Sequence, residues 1–230
     1  MNKEPEYLWM VKQGSDDWMK KRLGIITASN INTLVTGKGK PAKNEKMRQY
    51  ACKIAAERAF QFIEDNIQTW QMRRGHFEEE LAREIYNDNY DEVMECGIIL
   101  REIDGVKVGA SPDGCVLRDG IIEIKSRIPK FQIQTILADE VPDEYMNQIQ
   151  MLLMVSGRDW VDFCQYSNGM PFYVKRVLPD PERQELIKTA LVEFEAEVQK
   201  VLLEFEAKSA NLIPTKRVEI NFDEDVIVAS

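Results

Sequence analysis

The chain has 230 residues, with 30 Lys and Arg against 39 Asp and Glu, one His, four Cys and a formal net charge of −9. That length makes one elaborated domain with its own core the default, and 44% hydrophobic with 30% charged residues is ordinary for a folded soluble protein, which argues against wholesale disorder. The single His76 excludes a His-rich zinc centre, an HExxH metalloprotease and a His-based HNH centre, and the acidic balance argues against a protein that coats nucleic acid by bulk charge.

The N-terminus, Met1-Asn2-Lys3-Glu4-Pro5, has neither the basic flank nor the apolar stretch of a secretory signal. No apolar run approaches the roughly 18 residues that span a bilayer. Ser15-Asp16-Asp17-Trp18 predicts the start of a short helix, closed by Gly24. Thr27-Ala28-Ser29 opens a second, running to about Val35. Residues 37–46 are rich in Gly, Lys and Pro and read as an exposed mobile loop. Its lysines, Lys38, Lys40 and Lys43 among them, either meet a polyanion or are merely solvated. No phosphate-binding P-loop is present. Residues 1–60 carry twelve Lys and Arg against six Asp and Glu, a net of +6, which leaves −15 on residues 61–230.

Residues 45–64 repeat Met47, Tyr50, Ala51, Ile54, Ala55, Ala59 and Phe62 at helical spacing, and residues 75–89 do so with Phe77, Leu81, Ile85 and Tyr86. Then the period changes. Residues 94–102, 105–110, 115–118 and 120–126 read as short strands, with hairpin signals at Asp104-Gly105 and Asp119-Gly120. Residues 142–156 return to helix, and 159–166 and 171–178 read as two further strands. Asp180-Pro181-Glu182 opens a long amphipathic helix, and residues 210–230 form an acidic tail with weak strand character. Its charged face suits solvent or a partner. The order predicts a mixed α/β (α+β) fold, a central small mixed sheet flanked by helices. Cys52, Cys96, Cys115 and Cys164 are far apart and form no CxxC, so they read as reduced, mostly packed thiols in a cytosolic protein.

The chemistry concentrates between residues 111 and 125. In Ile121-Ile122-Glu123-Ile124-Lys125 strand alternation puts Glu123 and Lys125 on one face, Ile122 and Ile124 on the other. Taken alone this is either a surface ion pair on an edge strand or part of a site. Ser111-Pro112-Asp113-Gly114 is a turn signature that can return Asp113 to the side of Glu123. Two carboxylates beside one lysine make a hard-oxygen site suited to Mg²⁺ or Mn²⁺.

Pro112-Asp113 followed by Glu123-Ile124-Lys125 resembles the PD-(D/E)xK nuclease motif. More narrowly, the chain resembles the lambda-exonuclease (YqaJ-like) viral recombinase family. Four blocks in order carry this: Arg22-Leu23-Gly24-Ile25-Ile26-Thr27-Ala28-Ser29, Gly75-His76-Phe77-Glu78-Glu79, the Ser-Pro-Asp-Gly to Glu-Ile-Lys core, and Tyr145-Met146-Asn147-Gln148-Ile149-Gln150. The resemblance implies a single nuclease domain over 1–230. Residues 1–60 would form its basic helical DNA-end-binding part, 75–166 the catalytic core, 180–208 the long C-terminal helix and 210–230 an acidic tail.

The resemblance also implies roles. Asp113 and Glu123, with the backbone carbonyl of Ile124, would hold two Mg²⁺ ions, with Mn²⁺ as a substitute, and Glu79 would act through water. Lys125 would hold or help deprotonate the attacking water, and Gln148 would reach the site with help from Tyr145. Gln150 would pack or touch DNA backbone, and His76 has no firm role. Arg22, Thr27 and Ser29 would bind a 5′-terminal phosphate. The implied activity is Mg²⁺-dependent 5′→3′ digestion of one strand of linear duplex DNA, leaving 3′ single strands for recombination by annealing. It also implies a homotrimeric ring, a single-strand-annealing partner and a phage-borne protein at work in a bacterial cytoplasm. A structure-specific or restriction-type endonuclease on the same core is the alternative. The Cys spacing disfavours relatives that hold an iron–sulfur cluster, and the intact Asp113, Glu123 and Lys125 disfavour a non-catalytic end-binding module.

Overall fold

Turn chemistry and burial place the strands of this chain in two small sheets. In the structure, a computed structural model, residues 3–36, 39–63 and 70–217 are described. Lys38 and the last part of the expected acidic tail lie outside them. The first sheet runs β1 (Glu6–Leu8), β4 (Ile98–Ile103), β5 (Val106–Ala110), β2 (Ile26–Thr27), with β2 parallel to β5. The second runs β3 (Val93–Met94), β6 (Gly114–Val116), β7 (Gly120–Ser126), β8 (Trp160–Tyr166), β9 (Tyr173–Val177), with β7 parallel to β8. Both are mixed, as the sequence suggests, but the expected single sheet is divided. The break falls where Ser111-Pro112-Asp113 interrupts the ladder between β5 and β6.

Around the sheets lie α1 (Asp16–Arg22), a 3-10 turn over Ala28–Thr33, α2 (Glu45–Phe60), α3 (Trp70–Asn89), α4 (Pro129–Ala138), α5 (Asp143–Ser156) and α6 (Pro181–Ser209). Ser15, Asn44 and Asp180 cap α1, α2 and α6, each accepting a first-turn N–H. Gly24, just past α1, sits at φ +66, the left-handed position that closes a helix. The segment expected to be a second helix to Val35 is only a 3-10 turn. Pro41 then bridges back to Val35 and buries Ala42.

Two apolar clusters share the second sheet. Ile121, Val161 and Phe163 face the main core with α2, α5 and α6, whereas Ile122, Ile124 and Cys164 face α3 through Ala82 and Tyr86. The alternation read from the sequence therefore holds. The edge-strand reading of Glu123 and Lys125 does not: β7 lies between β6 and β8, and Glu123 is 2% exposed.

Three expectations need correction. The helix expected over 75–89 begins by Trp70, so Gly75 and His76 lie inside it rather than at its start. An interior Gly costs about 1 kcal/mol against Ala, and here the helix absorbs it. Phe77 is 64% exposed and not part of the apolar face. Helix α4 was not expected at all. Its buried positions are Gln132 and Thr135, while Ile133, Ile136 and Leu137 are exposed, so it carries no amphipathic signal of the usual sign.

Candidate active site

Strand β6 pairs with β7 only as far as Gly114 opposite Ile122. Beyond that register the edge of β7 has no strand partner, and the N–H of Ile124 donates instead to Asp113 Oδ2 at 2.6 Å. The turn predicted at Pro112-Asp113-Gly114 thus brings Asp113 back to the strand. Since N–H and C=O of one strand residue point to the same edge, the Ile124 carbonyl faces the same gap. Gln13 steadies the turn by donating to the Pro112 and Cys96 carbonyls, at 2.9 Å each. A Cβ on Gly114 would lie 2.1 Å from Val93, so the residue after Asp113 must stay small.

The Glu123 side chain stands on the face of β7 opposite Ile122 and Ile124, near enough to Asp113 for their charges to interact. Its Oε1 accepts from Lys125 Nζ and from Gln148 Nε2, each at 2.5 Å. Its Oε2 is buried and, among the described residues, has no hydrogen-bond partner. Helix α5 supplies Gln148, and Tyr145 one turn earlier on the same face. The Tyr145 ring stacks on Phe163 and lies 5.4 Å from Lys125 Nζ, while its hydroxyl accepts from Arg127. Gln150 points elsewhere. It is fully buried, donates to the Leu178 carbonyl and accepts from the Asp180 N–H, so it pins the start of α6.

Helix α3 brings Glu79 to the same place. Arg83, one turn on, donates to Glu79 Oε1 at 2.7 Å. His76 Nδ1 is 4.0 Å from Glu79 Oε2, too far for a hydrogen bond, and its side chain is 71% exposed. The adjacent Glu78 is spent on Ser126 and Arg74, and Tyr86 anchors the helix through Asp162, which a bidentate Arg176 also holds.

The charges interact strongly. Burial, then the neighbouring Glu123 and Glu79, hold the Asp113 carboxyl well above the usual carboxylate range. Burial likewise raises Glu79, against the opposing charge of Arg83. Burial alone would lower the Lys125 pKa, but Glu123 and Asp113 outweigh it and raise it. Hard oxygens from Asp113, Glu123 and Glu79, the buried Glu123 Oε2 among them, and a strand carbonyl are the donor types a divalent cation takes, although among the described residues no three of the carboxylates are drawn into one metal-holding group.

A cavity of about 660 Å³ runs from Asp113 and Glu79 to Arg22, Thr27 and Tyr50. Arg22 lies 4.0 Å over the Trp18 ring, and among the described residues its guanidinium makes no hydrogen bond. Thr27 Oγ1 accepts from Asn30 and is 3.2 Å from Ser29 Oγ. Tyr50 touches Thr27, and burial pushes its hydroxyl up to about 12. Gly24, between Arg22 and Thr27, is held from both sides. Its N–H donates to Glu57 and its carbonyl accepts from Arg58. Lys43 pairs with Glu193 on α6, and neither it nor Lys40 lines this cavity.

The structure thus brings together Asp113, Glu123, Lys125, Glu79, Gln148 and Tyr145, with Arg22 and Thr27 at the far end of the cavity and the exposed Ser29 beside Thr27 but outside the lining. It leaves Gln150 and Lys43 outside. Sequence reasoning missed Arg83, Tyr50, Glu57 and Arg58. Only Arg83 carried a local signal, four residues after Glu79 on one helix face.

A family model of the YqaJ-like viral recombinase domain matches residues 17–159. Among solved structures, an alkaline exonuclease (LHK-Exo) from Laribacter hongkongensis is similar at 29% identity and a TM-score of 0.73, over 86% of this chain and 100% of that one. The same protein in complex with dAMP gives 0.74 over the same shares. A phage-related exonuclease from Haemophilus somnus 129PT shares the fold at 13% identity and a TM-score of 0.57, over 79% of this chain and 96% of that one. No curated protein matches.

Proposed function

The chain belongs to the YqaJ-like viral recombinase family and is a deoxyribonuclease, and from that premise we propose that it digests linear duplex DNA 5′→3′ from phosphorylated ends, leaving 3′ single strands. The observation that carries the reading is the buried Glu123 Oε2, without a hydrogen-bond partner among the described residues, near Asp113, which itself lies at one end of a cavity whose other end presents the Arg22 guanidinium over Trp18. The dAMP complex of the Laribacter enzyme supports release of mononucleotides.

Asp113, Glu123 and the Ile124 carbonyl would hold two Mg²⁺ ions, or Mn²⁺, with Glu79 reaching them through water. When bound, such ions neutralise phosphate charge and lower the pKa of an attacking water. The rest falls to the chain. Gln148 and Lys125 fix Glu123 by one oxygen and leave the other available. The Lys125 ammonium offers positive charge to the phosphate and a donor to orient water. Arg22 gives a planar fork to a terminal phosphate, which carries more charge than an internal one. Thr27 and Ser29 add hydroxyls beside it. Lys38, Lys40 and Lys43 are assigned only a general electrostatic pull on the duplex.

Family membership supports a ring-shaped homotrimer around DNA, a single-strand-annealing partner and work in a bacterial cytoplasm. Among the described residues no helix is long and apolar enough to cross a membrane. The test is a 5′-labelled linear duplex with Mg²⁺, beside a closed circle. Labelled mononucleotides from the linear substrate and an intact circle are expected. A cut circle would favour the endonuclease alternative.

A further inference from the structure

We propose that Arg83 is a positioning residue that sets the distance between Glu79 and Asp113 and thereby the affinity of the site for divalent cations. This rests on the metal-centre reading above.

The two carboxylates sit on elements that are far apart in the chain, α3 and the turn before β6. Arg83 joins them. Its Nη2 donates to Glu79 Oε1 at 2.7 Å, its Nε to the Asp113 carbonyl at 2.9 Å, and its Nη1 to Glu95 Oε1, between β3 and β4, at 2.9 Å. The side chain is 17% exposed. One rigid fork therefore fixes three segments at once, a task that a lysine, a point charge on a flexible stem, does not perform. Arg83 binds Glu79 by one oxygen only, so Oε2 stays open toward the cavity. It holds Asp113 by the main chain, so the carboxylate is not consumed. That division suits a group that orients ligands rather than occupies them.

The competing role is a simple counter-charge for three crowded carboxylates. The two roles give opposite signs. A lost counter-charge makes the site more negative, so cations bind more tightly. Lost positioning makes them bind more weakly, typically by about 10–100-fold for a residue that orients a metal ligand.

The experiment measures Mn²⁺ binding to the full chain without DNA, by the electron paramagnetic resonance of free Mn²⁺, for wild type, Arg83→Gln and Arg83→Lys. Both variants are expected to bind about tenfold or more weakly, and excess Mn²⁺ should recover much of the cleavage rate of Arg83→Lys. Unchanged affinity in Arg83→Lys, or tighter binding in Arg83→Gln, overturns the positioning role. Arg83→Lys keeps the charge and decides the matter if the glutamine variant does not melt cooperatively. A wild-type chain that binds no Mn²⁺ overturns the metal-centre reading instead.

Discussion

Asp113 sits where burial and two neighbouring carboxylates oppose its charge. Such a site stores instability for the sake of function. Asp113→Asn keeps an oxygen for the Ile124 N–H but removes the repulsion. The metal-free variant should therefore be more stable than wild type, by about 0.5–2 kcal/mol, while cleavage is lost and Mg²⁺ no longer raises the melting temperature. A destabilised variant would show that the repulsion is already relieved. At the other end of the cavity, Arg22→Ala removes a fork worth about 1.5–3 kcal/mol to a charged acceptor. The preference for 5′-phosphate over 5′-hydroxyl ends should fall about tenfold or more, measured as the ratio of digestion rates. Asp113, Glu123 and Lys125 were singled out by motif spacing, Glu79 and Gln148 only by the family resemblance. Arg83 and Tyr50 were not, since their partners are reached only through the fold.

Elements were legible where burial follows the period and illegible where it does not. Strand β7 alternates faithfully, and α5 and α6 bury most of the apolar positions their spacing marks, although Leu186 and Phe205 at the two ends of the α6 stripe stay exposed. Helix α4 turns Gln132 and Thr135 inward to bond β8 and the loop after it, which no apolar count reveals. The three-residue β1 and two-residue β2 are too short to carry a period at all. Gly24 is the element-scale test. A Cβ there would meet Arg58 Cγ at 2.6 Å and force φ +66 on a non-glycine residue. Gly24→Ala should cost more than about 1 kcal/mol in denaturant unfolding and displace the Arg22 to Thr27 block. An unchanged midpoint would mean that Arg58 simply moves aside.

Across the whole molecule the charge division of the sequence acquires a second meaning. The +6 on residues 1–60 suggested a face reserved for DNA, and the acidic α6 a face for solvent or a partner. In the fold much of one answers the other: Lys43 pairs with Glu193, Arg48 with Glu197 and Glu204, and Arg58 with Glu195 in a two-pronged contact at 2.6 and 2.9 Å. Helix α6 thereby buttresses the Arg22 to Ser29 block through Arg58, which holds the Gly24 carbonyl, and through Phe194, which stacks on Tyr50 at 5.1 Å. Phe194 is 2% exposed, so Phe194→Ala should cost about 3–5 kcal/mol of stability, readable as a lowered unfolding midpoint. DNA affinity should still fall with salt, because phosphate contacts release counterions. The central claim is that Asp113 and Glu123 form a cation centre, and crystals soaked in Mn²⁺ test it most directly. Anomalous density is expected between Asp113, the Ile124 carbonyl and Glu123 Oε2; a Mn²⁺-dependent nuclease whose anomalous peaks lie away from all three would contradict it.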